Sequence, residues 1–161
     1  MIASRIFPAG GLSGHDARVA DPFDLSRIVE AQDGIYETAL AELRAGSKQS
    51  HWMWFIFPQL RGLGLSAAAQ RYAISSLDEA RAYLRHPLLG PRLRECVDAI
   101  LPWSAQLSAE QILGSIDALK FRSSLTLFEL AEPEGPFAHA LAEFYAGQPD
   151  TRTLALLNAA Q

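Results

Sequence analysis

One ten-residue stretch, SHWMWFIFPQ, contains two of the three tryptophans, two phenylalanines and a histidine. It contains His51, Trp52 and Trp54, and the cations Lys48 and Arg61 flank it. An imidazole titrates near neutral pH and can act as a general base or donate a hydrogen bond. Indoles provide flat apolar walls that carry one N–H donor. The stretch therefore predicts a binding site at its borders, but no pattern within it specifies a reaction or identifies catalytic residues.

The charge distribution indicates an anionic ligand. No Asp or Glu occurs between positions 43 and 77, whereas Arg44, Lys48, Arg61 and Arg71 all fall there. Cations beside a poorly hydrated aromatic wall favour an anion, because the electric field is stronger where water is excluded. The alternative is that these cations pair with carboxylates from other helices, and the sequence leaves both interpretations open.

The two lysines belong to the same hypothesis. Lys48 and Lys120 are the only lysines, so these positions favour a compact ammonium over a planar guanidinium. Ser124 follows Lys120 by four residues on a predicted helix, which places both on one face. As a partly exposed ligand-binding charge, Lys48 should be replaceable by Met at a cost of less than about 1 kcal/mol in stability.

The sequence thus predicts a site for an anionic, nucleotide-like small molecule, with an aromatic and basic lining. Its candidate ligand-binding residues are Lys48, Ser50, His51, Trp52, Trp54, Gln59, Arg61, Lys120 and Ser124. The alternative is a helical protein–protein interaction module. In it the basic window, residues 43–77, faces an acidic partner, and the aromatic stretch, residues 50–59, belongs to the core. A concave cleft would favour the first hypothesis, and a flat charged surface the second. Neither hypothesis specifies a cofactor.

The sequence predicts that helices position these residues. Ser76 and Ser108 each precede a Glu or Gln by three residues, as in a capping box, and Asp24, Asp33 and Asp150 are further candidate caps. The run from Trp52 to Phe57 is apolar throughout, so its periodicity cannot distinguish a strand from a buried helix. We predict an all-α fold, a compact multihelical single domain of about eight or nine short helices. Residues 1–20 are expected to form a flexible lead, and residues 21–161 the domain.

Composition excludes several classes of protein. A chain of 161 residues with 49% hydrophobic content can bury a substantial core, and its net charge of −4 argues against a nucleic-acid binder. Its single cysteine, Cys96, lies at helical spacing from apolar residues and is expected to be a buried, inert thiol. The four histidines lack metal-ligand spacing. Neither a signal peptide nor a membrane span is recognisable, which predicts a cytoplasmic protein.

Several segments together resemble a bacterial family known as domain of unknown function 1810. The resemblance rests on Val29–Gln32, Tyr36–Gly46, Lys48 with Ser50–Leu60, Tyr72–Ile74, Leu77–Leu93, and Leu119–Lys120 with Ser123–Phe128. The run HWMWFIFPQ is the most distinctive of them. The resemblance implies a compact multihelical domain from about Asp21 onward, and it implies no activity. Some members are labelled calpastatin-like, but calpain inhibitors of that kind are disordered chains, whereas this sequence has ample material for a core.

Overall fold

Helices are the only regular elements in residues 21–160, the part of the chain that the structure, a computed structural model, describes. The α-helices are α1 Ser26–Gln32, α2 Tyr36–Arg44, α3 Met53–Ile56, α4 Ala67–Arg71, α5 Leu77–Arg85, α6 Leu89–Ile100, α7 Ala109–Leu113, α8 Ser115–Ala131, α9 Phe137–Tyr145 and α10 Thr151–Ala159. A 3₁₀ helix, Leu101–Ala105, follows α6. The all-α prediction is confirmed, with ten α-helices in the described range where eight or nine were expected. The predicted flexible lead, residues 1–20, lies outside the described residues.

Most predicted helix starts are found where the capping residues stand. Ser108 and Gln111 form a complete capping box on α7, and Asp150 caps α10 by accepting from Thr153 N at 2.9 Å. Ser76 accepts from Glu79 N at 3.1 Å, but the Glu79 side chain bonds Ser75 and Arg27 instead of completing a box. Short polar side chains therefore set the local boundaries of these helices.

Two of the predicted caps are wrong. Asp24 adopts a left-handed backbone with φ 54°, and the carboxylate of Asp21 accepts from Leu25 N and Ser26 N instead. Asp33 ends α1 rather than starting α2, because Gly34 at φ +76° turns the chain between the two helices. A left-handed glycine commonly follows a helix end, so Asp33-Gly34 marks a break and not a start.

The aromatic stretch forms one turn of helix, α3, and then extended chain. Trp52, Met53, Ile56 and Phe57 are buried, and Trp52 is completely inaccessible to solvent. The ring centroids of Trp52 and Phe57 lie 6.3 Å apart, and those of Phe57 and Phe121 lie 4.7 Å apart. The stretch therefore passes through the core, and its half-buried members Trp54 and Phe55 lie at the core's edge.

The longest helix, α8, organises the packing around this stretch. It contacts α5, α7, α9 and α10, and its residues from Ser123 to Phe128 are all buried. Burial on more than one face is typical of a helix that others surround. Each large apolar side chain buried here contributes about 1.5–3 kcal/mol, and the same helix carries Lys120 to the edge of the aromatic stretch.

The chain after α3 is held by an isolated parallel β-bridge between Leu60 and Ile74. Arg61 N donates to Ile74 O at 2.8 Å, and Ile74 N donates to Gln59 O at 2.8 Å. Between Leu60 and Ile74 lies a loop that contains α4. The bridge fixes the backbone of Gln59 and Arg61, two of the residues predicted to bind a ligand.

Candidate functional site

The loop before α3 is organised by one carboxylate, that of Glu42 on α2. Its oxygens accept four hydrogen bonds, from Gln49 N at 2.7 Å, Ser50 N at 3.0 Å, Ser50 Oγ at 2.6 Å and Trp52 Nε1 at 2.9 Å. We call these residues the Glu42 cradle. Desolvation of this carboxyl raises its pKa, but the four donors outweigh that effect and lower the pKa to about 2. Glu42 is therefore ionised, and it fixes the indole of Trp52.

Glu42→Gln is expected to lower the free energy of unfolding by about 1–3 kcal/mol at pH 7, because donors in the cradle lose a charged acceptor. The pKa of Glu42 is about 2 in the folded protein, below its ordinary 4.5. Its contribution is therefore complete above pH 4.5 and is lost as the pH falls toward 2. Urea unfolding of wild type and variant at pH 7 and pH 3 checks this, and the difference should shrink at pH 3.

The matched control for that experiment is Glu37→Gln, which changes an exposed carboxylate on the same helix. It should alter stability by less than about 0.5 kcal/mol. A cost for Glu42→Gln that is the same at both pH values would mean that the cradle does not stabilise the charged form of the carboxyl.

The two lysines meet at one aspartate. Lys48 Nζ lies 3.0 Å from Asp117 Oδ2, and Lys120 Nζ lies 3.8 Å from Asp117 Oδ1. Each ammonium also lies over an indole, Lys48 at 4.8 Å from the ring centre of Trp52 and Lys120 at 5.2 Å from that of Trp54. Cations within about 6 Å of a ring centre are attracted to its negative face. Two cations sharing one anion leave one net positive charge in this group.

The two lysines differ in how completely they are held. Lys48 donates to Ser50 O at 2.6 Å, and its side chain is 9% exposed. Lys120 has a more exposed side chain, at 24%, and no described residue accepts a hydrogen bond from its Nζ. Lys48 is thus a fixed part of the loop structure, whereas the N–H groups of Lys120 remain available to a ligand.

A small cavity lies beside Lys120, and we call it the lysine cavity. Trp54, Gln59 and Tyr72 line it together with Lys120, and Gly64 and Ala69 approach from the loop that contains α4. Its volume is about 10 Å³, which is about the least that holds one water molecule. In this conformation the lysine cavity is closed to anything larger.

Comparisons with known proteins assign the chain to a family. The family model described as protein of unknown function (DUF1810) matches residues 22–157. The chain belongs to this family. The conserved hypothetical protein Rv1873 from Mycobacterium tuberculosis has a similar structure, with a TM-score of 0.81 and 54% sequence identity, over 86% of this chain and 99% of that one. No curated protein matches the chain. The fold is therefore that of the family, whose description names no activity.

The structure separates the predicted site residues into groups. Lys48, Ser50 and Trp52 meet at the Glu42 cradle, and Trp54, Gln59 and Lys120 line the lysine cavity. Arg61 lines neither, and instead borders two other concave regions of the surface.

Two further predicted residues differ in exposure. Ser124, one turn after Lys120, is 1% exposed. His51 is exposed, and it makes no side-chain hydrogen bond or ion pair with another described residue. The predicted residues therefore do not form a single open cleft.

Sequence reasoning missed the two carboxylates that join these groups. Glu42 lies one residue before the basic window, and Asp117 stands about seventy residues beyond Lys48. The spacing of three residues between Asp117 and Lys120 was the available signal, since such residues are neighbours on a helix. Cys96 is buried as expected, and desolvation raises the pKa of its thiol to about 12, so that it stays protonated.

Residues 21–160 contain neither a metal-binding cluster nor a membrane-spanning helix. No group of three or more His, Cys, Asp or Glu side chains in this range is arranged to hold a metal ion. None of the helices described is both long enough and apolar enough to cross a bilayer.

Proposed function

We propose that this domain binds an anionic, nucleotide-like small molecule at the lysine cavity. The observation that carries the proposal is the position of Lys120 Nζ, over the indole of Trp54 and at the edge of a cavity. Its nearest carboxylate oxygen is 3.8 Å away, so its N–H groups can turn to a phosphate or carboxylate. We also propose a cytoplasmic location, which suits such a ligand and a single reduced thiol.

The lining suggests how such a ligand would be held. The half-buried ring of Trp54 offers a face for a flat heterocycle. Gln59 supplies an amide that can both donate and accept, and Tyr72 adds an aromatic edge. The ammonium of Lys120, whose nearest carboxylate oxygen is 3.8 Å away, favours an anion over a neutral or cationic molecule. An apolar wall with a few convergent polar groups is the usual composition of a small-molecule site.

A ligand can enter only if the cover of the cavity moves. We call Gly62–Arg71 the covering segment, because its residues Gly64 and Ala69 line the cavity opposite Trp54 and Lys120. None of its side chains is buried, and Leu65 is 86% exposed. Segments with few buried contacts open at a small cost in free energy. The covering segment can therefore move aside while the core stays packed, as loops over many ligand sites do.

The interaction-module alternative is less favoured by the charges. It requires the cations of the basic window to lie on an exposed surface. Lys48 is largely buried against Asp117, and Arg44 lies 3.4 Å from Glu95. Among the described residues, only Arg61 and Arg71 of the four window cations are exposed without a carboxylate within 4 Å. Two unpaired arginines make a weak surface for an acidic protein.

The experiment is thermal melting of the full chain against nucleotides, dinucleotides, ADP-ribose-type compounds, sugar phosphates and carboxylates. A ligand at 100 times its dissociation constant adds about 2.7 kcal/mol, which corresponds to a rise of roughly 5–11 °C for a chain of this size. We expect one chemical series to produce the shift, and Lys120→Met to abolish it. Arg85→Met removes one exposed cation elsewhere and should leave the shift unchanged. A flat panel, or a shift that persists in Lys120→Met, would overturn the proposal.

A further inference from the structure

A second and larger cavity shares Leu60 with the lysine cavity. Its volume is about 720 Å³, and it lies between α5, α8 and α10. Its apolar walls are six leucines, Leu60, Leu77, Leu130, Leu154, Leu156 and Leu157. We call it the leucine cavity. Cavities of about 300–1,000 Å³ with mostly apolar walls are typical of small-molecule sites.

Among the described residues, one cation that lines the leucine cavity has no carboxylate partner. Arg81 lies 3.3 Å from Asp78, and both line the cavity. Arg61 also lines it, is exposed, and has no carboxylate within 4 Å among residues 21–160. Two arginines and one aspartate give a net charge of +1, located at Arg61. An apolar volume with one unpaired guanidinium at its edge is complementary to a molecule with an apolar chain and one anionic end.

The lining also distinguishes this cavity from the lysine cavity. None of the described residues around it is aromatic, so it has no ring on which a nucleobase could stack. Leucines instead favour a flexible aliphatic chain, whose burial is favourable in proportion to the apolar area removed from water. We infer that the leucine cavity is a second ligand site, which binds an aliphatic carboxylate with its chain against the leucines and its carboxylate on Arg61.

A protein partner fits the leucine cavity less well than a small molecule does. A stable protein interface buries about 800 Å² on each partner and is generally broad. The unpaired charge here is one arginine beside a concave apolar wall, which matches one carboxylate. The neighbouring shallow depression, which Arg61 shares with Arg27 and Arg71, has Glu79 beside Arg27 at 2.9 Å. The apolar lining of that depression is only Pro22 and Phe23, whereas six leucines line the leucine cavity, so the leucine cavity is the better match for an aliphatic chain.

The test is titration of the full chain with decanoate below its micelle concentration, followed by calorimetry and by methyl NMR of the leucines. We expect saturable binding of one decanoate per chain. Arg61→Gln should weaken it at least about tenfold, while 1-decanol, which has the chain without the charge, should bind wild type and variant alike. The matched control is Arg71→Gln, an arginine of the same depression that does not line the leucine cavity.

Four outcomes would overturn the inference. The first two are no saturable binding of decanoate, and an equal loss of decanoate affinity in Arg61→Gln and Arg71→Gln. The other two concern Leu157→Asp, namely full binding of decanoate by this variant, or a monomer–dimer change that it causes in sedimentation. The last would make the cavity an interface between copies of this chain. Lys120→Met should leave decanoate binding unchanged. The two proposals can therefore fail separately.

Discussion

Trp52→Ala should lower the free energy of unfolding by about 3–5 kcal/mol, the usual cost of removing a large aromatic side chain from a core. Trp52 is completely buried and packs on Phe57, which in turn packs on Phe121 of α8. The variant loses this packing, and it also removes the indole N–H that donates to Glu42. Urea unfolding monitored by far-UV circular dichroism measures the change.

Trp54→Ala is the matched control for this variant. Trp54 stands two residues away, within α3, whereas Trp52 immediately precedes that helix, and Trp54 is only half-buried. Because its ring lies at the edge of the core, we expect its loss to cost about 1–2 kcal/mol. Equal costs for the two tryptophans would contradict the division of the aromatic stretch into a core residue and a cavity residue.

Lys48→Met should destabilise the fold by about 2–3 kcal/mol, the second-largest effect that we expect. The ammonium of Lys48 lies between Asp117 and Ser50 O, with a side chain that is 9% exposed. Met can fill the volume, but it leaves Ser50 O without its donor and Asp117 without its nearest cation, and such losses at a largely buried site are costly. As a partly exposed charge, Lys48 would cost less than about 1 kcal/mol to replace. Equilibrium denaturation of the variant distinguishes the two values.

A double-mutant cycle with Asp117→Asn separates the ion pair from the rest of the effect. If the Lys48–Asp117 contact is the main contribution, Asp117→Asn should cost less in the Lys48→Met background than in wild type. Additive costs would mean that Lys48 stabilises the loop through Ser50 O and the Trp52 ring alone.

Local chemistry made much of this fold predictable. Ser76, Ser108 and Asp150 marked helix starts because a capping side chain acts within three residues of its own position. The aromatic stretch could be placed in the core, yet its helical turn could not be predicted, since a run without polar residues has no period. Asp33 was misassigned because an Asp before a Gly can either cap the following helix or end the preceding one, and the left-handed φ of Gly34 gives the second outcome here.

The candidate site was less predictable, for a physical reason. Lys48, Trp54 and Lys120 could be selected because their types bind anions and rings. Their partners could not, because Asp117 reaches Lys48 only through the packing of α8 against the loop. The small volume of the lysine cavity likewise depends on how the loop that contains α4 brings Gly64 and Ala69 to its lining. Contacts across such sequence distances leave no local pattern.

The bridge between Leu60 and Ile74 implies that evolution can alter the two sides of the lysine cavity independently. Both ends of the loop that includes the covering segment are pinned there by two backbone hydrogen bonds. Inserting residues between pinned ends is inexpensive, since doubling the length of a flexible loop costs only about 0.6 kcal/mol. The other side of the lysine cavity, with Trp54 and Lys120, is formed by helices that pack in the core. A change in the length of this loop alone would therefore change the volume of the lysine cavity while leaving Trp54 and Lys120 in place.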